Sequence, residues 1–276
     1  MTALRVTTRN ARFQQWEALL ANRTKRQRSG EFLVQGVRPI TLALEYGWRV
    51  RTLLYNADAE LSAWAGQTLH AVAATKAAVS ADLMHELGGK SGTTPELLAA
   101  VEIPPDDLAR VPASPAMLVV ILDRPTSPGN IGTTIRSADA LGAAGVVVAG
   151  HAADIYDPKT VRAATGSLFS LPVVRVPSYR QVLDWLTALR AAGIGARLVG
   201  TDESATLPVA AHDLTGPTLL VVGNETTGLS TGWREACDTL VRIPMTGAAS
   251  SLNAAAAASI ALYESFRQRT TAAGAP

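Results

Sequence analysis

The sequence predicts an α/β protein built on a parallel sheet, and three observations carry that prediction. First, from residue 117 onward the chain holds strand-like runs rich in apolar residues, Met117–Leu122 without interruption and then Gly145–Ala149, Val173–Val176 and Thr218–Val222. Such runs suit strands covered on both faces, as in parallel sheets. Second, stretches at helical spacing separate them, as crossover connections require. Third, residues 103–115 hold four prolines in thirteen positions, a composition that disfavours regular pairing and divides the chain. With 276 residues there is room for two domains of ordinary size. The expectation is a small α/β domain over 1–108, a linker at 109–115, and a larger parallel-sheet domain over 116–276.

Along the first part, Phe13, Trp16, Leu19 and Leu20 fall on one stripe, so the spacing predicts a helix from Asn10 to Arg28, stopped by Gly30. A strand at Glu31–Gln35, a helix at Val37–Tyr46 and a strand at Val50–Tyr55 follow. Thr68–Ala73 reads as a third strand and Ser80–Leu87 as a short helix. In the second part, helices are expected at Ile131–Leu141, Pro158–Leu168, Tyr179–Ala192, Thr231–Ala236 and Leu252–Arg267. Strands are expected at Arg197–Gly200 and Thr239–Ile243, besides the apolar runs already named. The order is that of a doubly wound sheet.

The net charge of +2 conceals a polarised chain. Residues 1–28 carry seven basic side chains against Glu17, a surplus of six, which leaves −4 for the rest. A basic arm on a nearly neutral body suggests a polyanionic partner such as RNA, with Arg12, Arg23, Lys25, Arg26 and Arg28 as candidate contacts. The bland alternative is a solvated, frayed terminus.

A single cysteine, Cys237, excludes an intramolecular disulfide and a cysteine-based zinc site, and reads as a small buried hydrophobe. The four histidines are scattered, so no metal site is expected. No segment has 18 uninterrupted apolar residues, and the expectation is a cytoplasmic chain without a membrane partner. Neither the Gly-x-Gly-x-x-Gly of dinucleotide sites nor a phosphate-binding Gly-x-x-x-x-Gly-Lys-Ser/Thr is present.

Three short motifs carry the chemistry. Asn130-Ile-Gly-Thr-Thr-Ile-Arg136 follows a buried strand and opens a helix, where free N–H groups favour an anion. Asn130 suits a helix cap or a functional contact; Arg136 suits a phosphate clamp or an ion pair with Asp139. Gly223-Asn-Glu-Thr-Thr-Gly228 is a loop at a strand end. There Gly223 permits a ligand to approach the backbone closely, and Glu225 is either an acid held at the strand mouth or a solvated carboxylate. Ile243-Pro-Met-Thr-Gly247 runs on to Ser251-Leu-Asn253 and a helix of small residues, with Ser250 or Ser251 as the expected cap. The small side chains of Ala254–Ala258 allow close approach to the sheet or to a second subunit.

Taken together, in order and spacing, these motifs resemble those of the SpoU/TrmH-type RNA ribose methyltransferases of the SPOUT class. The resemblance covers residues 115–276; the first hundred residues look, more loosely, like the family's ribosomal-protein-like RNA-binding domain. The layout is similar to the thiostrepton- and avilamycin-resistance ribosomal RNA methyltransferases. The resemblance implies a C-terminal domain tied in a deep trefoil knot, S-adenosylmethionine as methyl donor, and a homodimer. It implies methylation of a ribose 2′-hydroxyl, in 23S ribosomal RNA first of all and with drug resistance as one outcome. A transfer-RNA enzyme and a non-catalytic RNA-binding factor are the alternatives. By motif position it assigns Arg136, Asn130, Glu225, Ser251 and Asn253 to catalysis, and Gly223, Ile243, Met245 and Leu252 to the cofactor. One departure stands out: Ala254-Ala255 replaces the family's common Val-Ser.

Overall fold

The fold is that of a computed structural model, described over residues 4–88 and 93–272. Contacts divide the chain into two compact units, one running to Pro104 and including Tyr156–Ser170, the other comprising Pro105–Ile155 and the chain from Leu171 onward.

In chain order the first unit contains β1 (Leu4–Val6), α1 (Ala11–Ala21), α2 (Arg23–Ser29), β2 (Glu31–Gln35), α3 (Val37–Glu45), β3 (Val50–Asn56), α4 (Ala63–Ala71), β4 (Thr75–Val79), α5 (Ala81–Gly88) and β5 (Leu97–Glu102). The sheet order is β1-β4-β3-β5-β2, with β5 antiparallel to both of its neighbours. The predicted helix over 10–28 is two helices. Asn22 is extended (φ −122°, ψ 105°); its N–H closes α1 on the Ala18 carbonyl while its side chain accepts the Lys25 N–H to start α2. Gly30 ends α2 in the left-handed region at φ 66°, as the sequence suggests.

The strand expected at Thr68–Ala73 is instead largely the end of α4. Ser62 caps that helix through Ala65 N–H, and Ala65 and Thr68 are buried one helical turn apart. Neither β1 nor β5 is anticipated from the sequence. β5 is Leu-Leu-Ala-Ala-Val-Glu, weak in intrinsic strand preference, and it is fixed by lying between β3 and β2.

The second unit begins with β6 (Leu118–Asp123), α6 (Pro128–Ala140) and β7 (Gly145–Ala149). The chain then supplies α7 (Pro158–Ala164) and α8 (Ser167–Ser170) to the first unit. It returns as β8 (Val173–Val176), α9 (Tyr179–Ala191), β9 (Arg197–Thr201), β10 (Leu207–Pro208), β11 (Thr218–Val222), α10 (Thr231–Ala236), β12 (Thr239–Arg242) and α11 (Ala254–Ala272). Aromatic packing explains the excursion. Tyr156 and Phe169 join Phe32 and Trp48, with Phe32–Tyr156 ring centroids 4.8 Å apart and Trp48–Phe169 5.1 Å apart, and the Trp48 indole N–H donates to the Phe169 carbonyl at 3.0 Å.

All seven strands of the larger sheet are parallel, in the order β10-β12-β9-β11-β6-β7-β8. The expected parallel sheet is therefore observed, and β6, β7, β8 and β11 are buried almost throughout. Residues 105–115 belong to the edge of this unit. Asp106 accepts the Arg175 N–H at 3.0 Å, and Val111, 3% exposed, packs in the core. β6 and β11 are neighbours, with Leu122 opposite Val222. Motifs one and two thus leave adjacent strand ends at the switch point of the sheet, where open α/β folds bind ligands.

Candidate active site

Motif one starts with a cap. Ser127 Oγ accepts the Asn130 N–H at 3.3 Å, and Pro128 takes the first helical position, where no donor is needed. The cap is therefore Ser127, which frees the Asn130 side chain. Asn130 Nδ2 donates to Glu225 at 3.0 Å, and Asn130 Oδ1 accepts from Asn253 Nδ2 at 3.1 Å. Asn253 Oδ1 in turn accepts the N–H groups of Ala255 and Ala256 at 2.9 and 3.2 Å. So the cap of α11 is Asn253, in place of Ser250 or Ser251. One line of hydrogen bonds, Asn253 to Asn130 to Glu225, joins all three motifs across 123 residues of sequence.

Glu225 is saturated. Besides Asn130 it accepts the N–H and hydroxyl of Thr126 at 3.2 and 3.1 Å and the N–H of Ser127 at 3.3 Å. Partial burial pushes its pKa up, but donation from Asn130 and from the backbone N–H groups of Thr126 and Ser127 outweighs it, and the carboxyl sits below the ordinary range. A carboxylate this well satisfied holds a geometry and is a poor acceptor for a further proton.

Arg136, on the same helix, is exposed and makes no hydrogen bond or ion pair with any described residue, Asp139 included. A guanidinium costs side-chain entropy to fix, so a free one on the helix that also carries Asn130 is available to a ligand.

Loop 223–228 closes on itself through the paired N–H and C=O groups of Asn224 and Gly228, both at 3.0 Å. A Cβ at Gly223 would lie 2.5 Å from the Gly228 carbonyl carbon and the Leu229 nitrogen. The close approach that requires glycine here is the loop's own backbone, not that of a ligand. The loop forms one wall of a cavity of about 290 Å³. The others come from Thr201 at the end of β9 with Asp202 and Glu203 just after it, from Arg234, and from Ile243, Met245 and Ser250–Leu252. Gly223, Ile243, Met245, Leu252, Ser251 and Glu225 are thus brought together at one cavity. Met245 is 37% exposed, a large apolar side chain left partly uncovered.

α11 packs on α6 through its small residues, with Ala255, Ala258 and Ala261 at most 3% exposed and a Ser137–Ser259 hydroxyl contact at 2.7 Å. The alanine run therefore serves contact within the chain. Ile260, Tyr263 and Phe266, at 41%, 58% and 41% exposure, stand out from the same helix.

Sequence reasoning missed Thr126, Ser127 and Asn224, although Ser-Pro ahead of a helix is a start signal. It also missed Asp202 and Arg234, which sit at the cavity without any motif. In the first unit, the side chains of Arg12, Lys25 and Arg28 are exposed without a partner among the described residues, and Arg23 is half-buried. Arg26 is a correction: it is 2% exposed, donates to the Leu19 and Leu20 carbonyls at 2.6 and 3.3 Å, and lies 3.8 Å from Asp157. It ties the end of α1 to α2 and has no surface to offer RNA. The Cys237 thiol is pushed up to about 12, first by burial and then by Asp238 and Asp202, so it is inert. Among the described residues no cluster suits a metal, and no helix is long and apolar enough to cross a membrane.

Known proteins share this pattern. The SpoU rRNA Methylase family matches residues 117–263, and the SpoU L30e-like domain matches residues 10–99. A 23S rRNA (uridine(2479)-2′-O)-methyltransferase of Streptomyces viridochromogenes is 62% identical over 97% of this chain and 93% of its own. The 23S rRNA (guanosine(2553)-2′-O)-methyltransferase RlmP of Bacillus subtilis is 30% identical over 93% of this chain and 96% of its own. Among solved structures, the SpoU methyltransferase AviRb from Streptomyces viridochromogenes in complex with the cofactor AdoMet superposes with a TM-score of 0.92 at 62% identity, covering 95% of this chain and 99% of that one. The chain belongs to the SpoU rRNA methylase family.

Proposed function

We propose that this protein transfers a methyl group from S-adenosylmethionine to a ribose 2′-hydroxyl of 23S ribosomal RNA. The observation that carries the reading is the Asn253–Asn130–Glu225 line, with an unpartnered Arg136 on the same helix as Asn130, in a chain 62% identical to a 23S rRNA 2′-O-methyltransferase.

The cavity suits the donor chemically. It offers the backbone of 223–228 for polar recognition and Ile243, Met245 and Leu252 for apolar cover. Three carboxylates, Asp202, Glu203 and Glu225, face it against one guanidinium, Arg234, which favours a cationic ligand. S-adenosylmethionine supplies a methyl group on a positively charged sulfur, open to attack by an oxygen nucleophile.

Arg136 holds an RNA phosphate next to the reacting ribose and stabilises the negative charge that develops on the 2′-oxygen as the hydroxyl proton passes to solvent. It stays protonated, since a guanidinium pKa exceeds about 12. Glu225 orients Asn130, and Asn253 fixes the opposite side of the same amide, so the pair hold the ribose in line with the methyl group. Ser251, exposed at the cavity rim, completes the contact to substrate. Arg12, Lys25 and Arg28 supply non-specific phosphate contacts from the first unit.

The exposed Ile260, Tyr263 and Phe266 support a homodimer formed through α11, and family membership supports a knotted passage of residues 243–253. A ribosomal RNA substrate supports a cytoplasmic location. The test is a map of ribose methylation on total RNA from cells with and without the protein. One new 2′-O-methyl site in 23S RNA is expected. A new site in transfer RNA, or none, overturns the substrate assignment.

A further inference from the structure

Two ion pairs flank loop 223–229, and each centres on an arginine outside the three motifs. On one side Asp123, the last residue of β6 and 3% exposed, accepts Arg124 Nε and Nη2 at 2.9 and 3.0 Å. The same carboxylate accepts the Ser230 N–H at 2.8 Å, and Arg124 Nη2 reaches the Gly228 carbonyl at 3.5 Å. The Arg124 carbonyl accepts Asn224 Nδ2 at 2.7 Å. On the other side Asp202, 7% exposed, lies 2.7 Å from Arg234 Nη1, and Arg234 Nε donates to the Leu229 carbonyl at 3.3 Å. Ser204 satisfies the second oxygen of Asp202 through its N–H at 2.9 Å and its hydroxyl at 2.6 Å.

The arrangement follows from charge. A buried carboxylate stripped of its partner is strongly destabilising, so each aspartate holds its arginine close, Asp123 by a two-point fork and Asp202 by an ion pair without hydrogen-bond geometry. The planar fork then has donors left over, and in both cases a leftover donor meets a carbonyl of the same loop. Arg124 adopts φ 49°, one of two non-glycine residues with positive φ among the described residues. Such a conformation persists only where the surroundings over-determine it. Gly150 makes room for it, because a Cβ there would lie 2.9 Å from Arg124 Cγ.

We propose that Arg124 and Arg234, each neutralised by a buried aspartate, are positioning residues that hold the two rims of loop 223–229 and keep the cavity shaped for the methyl donor before the donor arrives. This rests on the reading of that cavity as the cofactor site. Neither arginine is assigned a contact with the reacting atoms.

The test uses the full chain and the double variant Asp123→Asn/Arg124→Gly. Glycine accepts φ 49° without strain, and asparagine keeps an acceptor for Ser230, so the buried charge, the strain and the fork are removed together. The expected result is a dissociation constant for S-adenosylmethionine raised about tenfold or more by calorimetry, since small misplacements of a preorganised site are amplified. The KM for the donor rises correspondingly while kcat at saturating donor changes little. Hydrogen exchange of the Asn224 and Gly228 amides speeds up in the donor-free protein. Donor affinity and exchange both equal to wild type would overturn the proposal.

Should the double variant not fold, Arg124→Lys carries the test, since it keeps a charge beside Asp123 but cannot fork to Gly228; unchanged exchange at Gly228 overturns the proposal. Asp202→Asn/Arg234→Gln is expected to weaken donor binding in the same way, and wild-type affinity there overturns the role of Arg234. Leu252→Trp serves as the control on the cavity itself. If it binds the donor normally, the cofactor-site reading fails; if it alone loses binding while the clamp variants do not, only the clamps fail.

Discussion

The polar residues of the three motifs and the basic residues of the N-terminal arm were both conspicuous in the sequence, but the structure treats them differently. At the strand ends, Asn130, Glu225 and Asn253 satisfy one another and leave Arg136 unpartnered. In the arm, part of the positive charge is consumed by the fold. Arg9 pairs with Glu17 and Glu86, and Arg26 is buried against carbonyls. A surplus of charge therefore says little about which side chain meets a ligand. A motif whose members are held by each other says much more, because the residue left out is the one with a task elsewhere.

The sharpest way to break this contrast is to remove the unpartnered arginine. Arg136→Ala should lower kcat/KM for methyl transfer by about 10²–10³-fold, the scale of losing a preorganised donor at a developing oxyanion. Donor affinity, read by calorimetry, should stay at its wild-type value. Next in size is the relay. Asn130→Ala and Asn253→Ala should each cost about tenfold or more in kcat, and the double variant should cost far less than the product, since both break one hydrogen-bonded line.

Within the arm, two arginines two residues apart should part company. Arg26→Ala should destabilise the protein by about 1–3 kcal/mol in denaturant unfolding, because buried carbonyls lose their donor, while the salt dependence of RNA binding is unchanged. Arg28→Ala should leave stability alone and reduce the slope of log affinity against log salt by about 1. Equal behaviour of the two would erase the distinction between structural and available charge.

Smaller still is the titration of Glu225. Its folded pKa lies below its ordinary value of 4.5, so its contribution is full above that value and is lost as pH falls through the lower folded one. The stability gap between wild type and Glu225→Gln should narrow over that acidic interval and stay constant near neutrality, as pH-dependent unfolding would read. A gap that widens on acidification would reverse the sign.

Much of this was legible from residue pattern. Gly145–Ala149, Val173–Val176 and Thr218–Val222 are strands with the expected ends, because a strand covered on both faces must be mainly apolar, the half-buried Arg175 being the charged exception. The less legible elements depend on partners distant in sequence. β5 is a strand because β3 and β2 flank it, and Tyr156–Ser170 joins the first unit because Phe32 and Trp48 offer it an aromatic surface. At the site, motif residues were found but their bonds were not. Asn130 looked like a cap until Ser127 took that role, and the need for glycine at Gly223 looked set by a ligand until Gly228 and Leu229 proved to crowd it. Asp202 and Arg234 had no local signal, since only the sheet brings the end of β9 to α10.

The central claim is that the three motifs form one site for 2′-O-methyl transfer. The measurement that tests it most directly is transfer of labelled methyl from S-adenosylmethionine to 23S RNA, followed by digestion to nucleosides, with wild type and Arg136→Ala compared at equal donor occupancy. Label in a 2′-O-methylnucleoside with wild type, and its near loss with Arg136→Ala, is the predicted result. Label on a base, or undiminished transfer by Arg136→Ala, would contradict it.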